Sequence, residues 1–161
     1  MPSVYMDTCL VSALAKRDIR ELELQALELI LRRFEEGSVT AVCSSAVGDE
    51  LAKIPPNYRG PHLEQLRQFG SVPRSEPGAL TRLMPAGIPG ANPARLLWDQ
   101  LLATLPDQPD AEHVFIAACN RVQYLVTVDD RTLLKYRETV LRLTGVRLVT
   151  PSEFVHEALA S

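Results

Sequence analysis

The stretch YLVTVDD, residues 124–130, decides the fold class. Five residues rich in β-branched and aromatic side chains run straight into two aspartates, the pattern of a buried strand that stops at a polar edge. The start of the chain repeats the pattern, with SVYM at 3–6 running into Asp7. VTAVC at 39–43 and VRLV at 146–149 read as two further strands, and helical patterns separate all four. Strands alternating with helices predict an α/β fold with a central, mainly parallel sheet. In such a sheet ligands bind beyond the carboxyl ends of the strands. Asp7 and Asp129 therefore stand at the edge where sites form.

The helical segments fill in around these strands. Asp18, with Glu21 three residues on, reads as a capping box opening a helix. Its apolar stripe is Leu24, Leu27, Leu31 and Phe34, and Gly37 ends it. Ser44 or Ser45 caps a short helix reaching about Ile54, where Pro55 and Pro56 stop it. Residues 110–122 are apolar nearly all round, which predicts a buried helix. A short helix is expected over 131–137 and a last one from Pro151. Residues 55–109 hold ten of the 12 prolines and five of the 8 glycines. Helices are expected there only at 63–69 and 94–105, with a loop at 73–93. Neither flank has enough core to fold alone, so 1–161 reads as one domain with an irregular excursion at 55–109.

Composition bounds the function. The chain has 161 residues, is 46% hydrophobic and carries a formal charge of -3. This excludes a disordered chain and weakens the reading as a generally basic nucleic-acid coat. No apolar run is long enough to span a bilayer, and no basic-then-apolar leader opens the sequence, so a cytoplasmic protein is expected. Cys9, Cys43 and Cys119, an odd number in apolar surroundings, predict reduced, buried thiols. Arginine (14) far exceeds lysine (3), which suits phosphate contact but equally reflects genome composition.

Four acids occupy informative positions: Asp7, Glu50, Asp110 and Asp129. Val47, Leu51 and Ile54 define the buried face of one helix. At about 100° per residue, Glu50 falls at the edge of that face and Asp49 points to water. Asp110 opens the apolar helix, where a carboxylate is favourable in its own right. Each acid alone has an ordinary reading: Asp7, Asp110 and Asp129 as turn or cap residues, Glu50 as a surface residue. Together at one sheet edge they would repel, and a hard divalent cation resolves that repulsion. Such an ion activates a water and neutralises a phosphate in transfer. Alternatives of another kind are a non-catalytic interaction module on the same fold and a phosphate-accepting domain using Asp7.

The segments YMDT (5–8), SSAVGDEL (44–51), DAEHVFIAA (110–118), YLVTVDDRTLL (124–134) and VTPSEFV (149–155) together resemble the PIN domains, in particular the VapC-type toxin ribonucleases. They come in the family's order and cover both ends of the chain; 55–109 has no match. The resemblance implies a three-layer α/β/α sandwich. It also implies a Mg²⁺- or Mn²⁺-dependent endoribonuclease whose metal is held by Asp7, Glu50, Asp110 and Asp129, with Asp130 in reserve. It implies RNA as substrate, a cognate antitoxin protein as partner, and a homodimer. The family carries asparagine two residues after its first acid, where this chain has Cys9. His113 also appears in one branch, as a donor to a carboxylate or as a packing residue. RNA affinity would come from arginines outside the acids, with Arg59, Arg74, Arg82 and Arg95 as candidates.

Overall fold

The structure is a computed structural model and describes residues 1–73 and 93–160. Arg74, Arg82 and most of the expected 73–93 loop lie outside the described residues. Strand β1 (Ser3–Met6) is buried from Val4 onward and ends at Asp7. Helix α1 (Thr8–Lys16) follows at once, because the Asp7 carboxylate accepts the backbone N–H of Leu10 and caps it. The sequence reading placed no helix there. Helix α2 (Glu21–Glu35) starts at Glu21 behind Arg20, with no side-chain cap, so the capping box at Asp18 does not form. Its buried face is Leu24, Ala26, Leu27 and Ile30, with Glu23 drawn in beside them.

Strand β2 (Thr40–Cys43) leads into helix α3 (Ser45–Leu51), which Ser44 caps by accepting the Ala46 N–H. Helix α4 (Pro56–Leu66) starts well before the expected Leu63. Pro56 sits in its first turn, where the missing N–H has no partner to lose, and Pro61 is tolerated inside. Strand β3 is only Gly70–Ser71. Gly70 is needed there: a Cβ would meet the Ala41 carbonyl and Val42 at 3.3 Å.

Helices α5 (Pro93–Thr104) and α6 (Gln108–Cys119) come next. Helix α6 begins two residues before Asp110, which is therefore its third residue and not its cap. Strand β4 (Tyr124–Val126) stops earlier than the apolar run suggests. A turn and a 3₁₀ segment (Leu134–Tyr136) replace most of the helix expected at 131–137. Helix α7 (Arg137–Thr144), closed by Gly145 at φ 77°, was not expected. Strand β5 (Arg147–Val149) and helix α8 (Pro151–Phe154) complete the fold, the last helix loosening into a π-turn over Val155–Leu159.

Among the described residues the five strands form one all-parallel sheet in the order β3-β2-β1-β4-β5. Both ends of the chain are thus locked into one sheet: Tyr5 pairs with Val42 on one side and Leu125 on the other. Helices α1, α3 and α4 touch one another, as do α5, α6 and α7, an arrangement compatible with a layer on each face. The core runs through Val4, Met6, Leu27, Val47, Phe115, Ile116, Leu125 and Leu148. Strand order runs outward from β1 toward β3 and then outward again from β4 toward β5. The β1–β4 junction is therefore the switch point, where a crevice opens beyond the strand ends.

Candidate active site at the β1–β4 strand ends

Asp7 leaves β1 at that junction and is only 4% exposed. Besides Leu10, both its oxygens receive the Cys9 thiol, at 2.9 and 3.2 Å. Cys9 thus supplies a donor to the first acid. Burial, with the Asp7 charge beside it, holds that thiol well above its usual range, so it stays protonated and donating. Burial likewise raises the Asp7 carboxyl, against the pull of Cys9, Thr127, His113 and Leu10.

Asp129 lies two residues after Thr127, past β4. Its backbone N–H reaches the Thr127 hydroxyl at 3.1 Å. Its carboxylate accepts the backbone N–H groups of Arg131 and Thr132, each at 2.9 Å, and the Thr132 hydroxyl at 2.8 Å. Burial pushes this carboxyl up, but those donors and the Arg131 charge outweigh it and the group sits below its ordinary range. The reserve acid, Asp130, is exposed and faces a neighbouring cleft of about 660 Å³ with Arg20, Arg131 and Thr150.

Glu50 reaches inward from α3 while Asp49 is exposed, as the helical geometry requires. Its Oε1 accepts His113 Nε2–H at 2.9 Å. Burial acts to raise Glu50, yet His113, Thr8 and Lys53 prevail and lower it. His113, from α6, is itself buried. Burial disfavours its charged form, and the Glu50 bond with the Glu50, Asp7 and Asp110 charges overrides that and raises it.

Asp110 is different. Among the described residues, its Oδ2 is a buried side-chain oxygen with no hydrogen-bond partner. Burial first, then the charges of Asp129, Asp7 and Asp107, push its carboxyl up to about 6, although the nearby Thr132 hydroxyl opposes this. Asp7, Asp110 and Asp129 thus act on one another, from segments more than a hundred residues apart, and Glu50 joins them through His113.

The donor set is oxygen throughout, which suits a hard divalent ion, and the orphaned Asp110 oxygen is an acceptor awaiting a positive partner. Ligand geometry is not assembled, however: among the described residues no three His, Cys, Asp or Glu side chains gather around one point. Glu50 is taken by His113, and Asp129 by Thr132 and two backbone amides. A bound ion would have to draw some of these oxygens from their present donors.

Other expectations are corrected. The three cysteines form no disulfide with one another, and only Cys43 is buried; Cys119 is exposed and Cys9 half-buried. Arg59 is no free phosphate ligand, since its guanidinium binds the Ala52 and Ile54 carbonyls that end α3. Arg95 pairs with Asp99 on its own helix. Sequence reasoning missed Tyr5, Ser44 and Thr132 as supports. Ser44 carries a signal as a helix cap and Thr132 as the third residue after Asp129, whereas Tyr5 acts across distant segments. No helix among the described residues is long and apolar enough to cross a membrane. Comparisons with protein-family models, with curated proteins and with solved structures find no match.

Proposed function

We propose that this chain is a PIN-type endoribonuclease that cleaves RNA phosphodiesters with a Mg²⁺ or Mn²⁺ ion held by Asp7, Glu50, Asp110 and Asp129. The observation that carries the reading is Asp110. A carboxyl with a buried oxygen that has no hydrogen-bond partner among the described residues, raised first by burial and then by the charges of Asp129 and Asp7, is a cost that a cation at the β1–β4 junction would remove. The order of the motifs along the sequence supports the same assignment. When bound, the ion supplies charge neutralisation at the phosphate and a more acidic attacking water.

The chain's own residues do the rest. Cys9 and Leu10 hold the Asp7 carboxylate in one orientation. Thr132 and the amides of the 129–132 turn hold Asp129 ionised. His113 holds Glu50. Arg131 lines the adjoining cleft and offers a cation to the RNA backbone, beside Arg20, which also pairs with Glu23. As the toxin of a toxin–antitoxin pair, the protein would pair with a second copy and be silenced by an antitoxin segment laid over this acidic edge.

The test is a Mn²⁺ titration followed by thermal unfolding, beside an RNA cleavage assay. Metal-dependent stabilisation and cleavage, both lost in Asp7→Asn, are the expected outcome. A second reading, a non-catalytic interaction module on the same fold, is favoured by the hydrogen bonds already occupying Glu50 and Asp129. It predicts neither metal-dependent stabilisation nor cleavage.

A further inference from the structure

We propose that His113, oriented by Tyr5 and Ser44, is a positioning residue that fixes the Glu50 carboxylate at the acidic edge. What Glu50 is positioned for rests on the nuclease reading; the orienting relay rests on geometry alone.

The direction of the relay follows from its two ends, since the ionised Glu50 carboxylate can only accept and so takes the Nε2 proton of the neutral ring, leaving Nδ1 to accept. The Ala46 backbone N–H can only donate, and it gives to Ser44 Oγ at 3.3 Å. The Ser44 hydroxyl lies 2.7 Å from that of Tyr5, and the Tyr5 hydroxyl 2.9 Å from His113 Nδ1. With Ser44 donating to Tyr5 and Tyr5 to Nδ1, the ring proton is left on Nε2. There it meets Glu50 Oε1 at 2.9 Å, with Thr8 Oγ1 at 3.3 Å. Every donor in the chain then has an acceptor. The other neutral tautomer would turn an unprotonated Nε2 toward a carboxylate, lone pair against lone pair. A doubly protonated ring would reverse the Tyr5 and Ser44 bonds and leave the Ser44 proton with no acceptor among these contacts.

Packing alone does not call for such a chain. Tyr5 is fully buried and His113 nearly so, whereas the Glu50 side chain is 25% exposed. The relay carries order from the core, through β1 and α6, to a long side chain on a seven-residue helix that would otherwise sample several rotamers. Supporting hydrogen bonds of this kind orient the carboxylates and imidazoles around metal sites.

The test joins a spectroscopic readout to a binding one. In mildly alkaline buffer, ¹⁵N NMR of the His113 ring in the intact chain should show Nδ1 unprotonated and Nε2 protonated. Tyr5→Phe, which keeps the ring and the packing, should give a mixture of tautomers. Its Mn²⁺ dissociation constant by calorimetry should rise about tenfold. His113→Leu should weaken Mn²⁺ further, and His113→Gln, which can still donate to Glu50, should recover part of the loss. An unchanged tautomer in folded Tyr5→Phe overturns the relay. A changed tautomer with unchanged Mn²⁺ affinity overturns the positioning role. A wild-type chain that takes up no Mn²⁺, yet whose tautomer still responds to Tyr5→Phe, upholds the relay and overturns the nuclease reading on which Glu50's purpose rests.

Discussion

On one side of the acidic edge, Glu50 is hydrogen-bonded to His113, which is braced by Tyr5 and Ser44, and its carboxyl is held below the ordinary range. On the other side, Asp110 buries an oxygen with no hydrogen-bond partner among the described residues, and burial pushes its carboxyl up to about 6. The two acids stand on helices that carry them to the same strand ends, and they differ in what surrounds them. A protein that only needed to fold would satisfy both, or bury neither. On the proposed reading, the contrast is that of a site with one half preorganised and the other left for a cation to complete.

The largest effect is expected where both halves depend on one acid. Asp7→Asn should lower RNA cleavage on the order of a hundredfold or more in an assay with saturating Mn²⁺, since losing even a supporting group around a metal approaches that size. Circular dichroism should show the fold retained, because asparagine also caps helices well.

Smaller effects of opposite sign should then separate the halves. Asp110→Asn should stabilise the metal-free protein at neutral pH, by about 1 kcal/mol in urea unfolding once solvent screening of a half-exposed group is allowed for. A carboxyl whose folded pKa is raised contributes most below its unfolded value of 3.8 and loses that contribution as pH climbs through about 6. The advantage of the variant should therefore appear over that window and vanish in acid. Glu50→Gln should instead destabilise at neutral pH, by about 1 kcal/mol, through loss of a charge-assisted bond to His113. Here the folded pKa is lowered from 4.5, so the deficit should shrink as pH falls below that value. Equal signs for the two variants would break the comparison.

The smallest expected effect concerns RNA binding and not the acids. Arg131→Ala should reduce the slope of log affinity against log salt by roughly 0.7, as expected for one phosphate contact on a single strand. Filter binding across a salt series would measure it.

Much of this was legible in the sequence for a physical reason. Short apolar runs mark strands of a buried parallel sheet and predict β1, β2, β4 and β5, the runs of β1 and β4 ending on an acid as well. The reach of Glu50 and the outward turn of Asp49 followed from helix periodicity alone. What escaped depended on competition between local signals. Asp7 was read as a strand-end acid, and its simultaneous role as the cap of α1 hid that helix. The proline-rich stretch predicts a helix only from Leu63, yet α4 begins at Pro56 and tolerates Pro61 inside. Two residues at Gly70 and Ser71 are too few to carry a strand pattern. The relay through Tyr5, Ser44 and His113 joins three segments and has no local signature at all. Nor does the orphaned oxygen of Asp110, which exists only because distant acids are folded against it.

Paramagnetic broadening by Mn²⁺, read residue by residue in an NMR spectrum of the whole chain, tests the shared-ion claim most directly. Signals of Asp7, Glu50, Asp110 and Asp129 should broaden first and together at low Mn²⁺, while those of Asp49 and Asp99 persist. Broadening that begins elsewhere, or that reaches the four acids no sooner than the exposed ones, would contradict it.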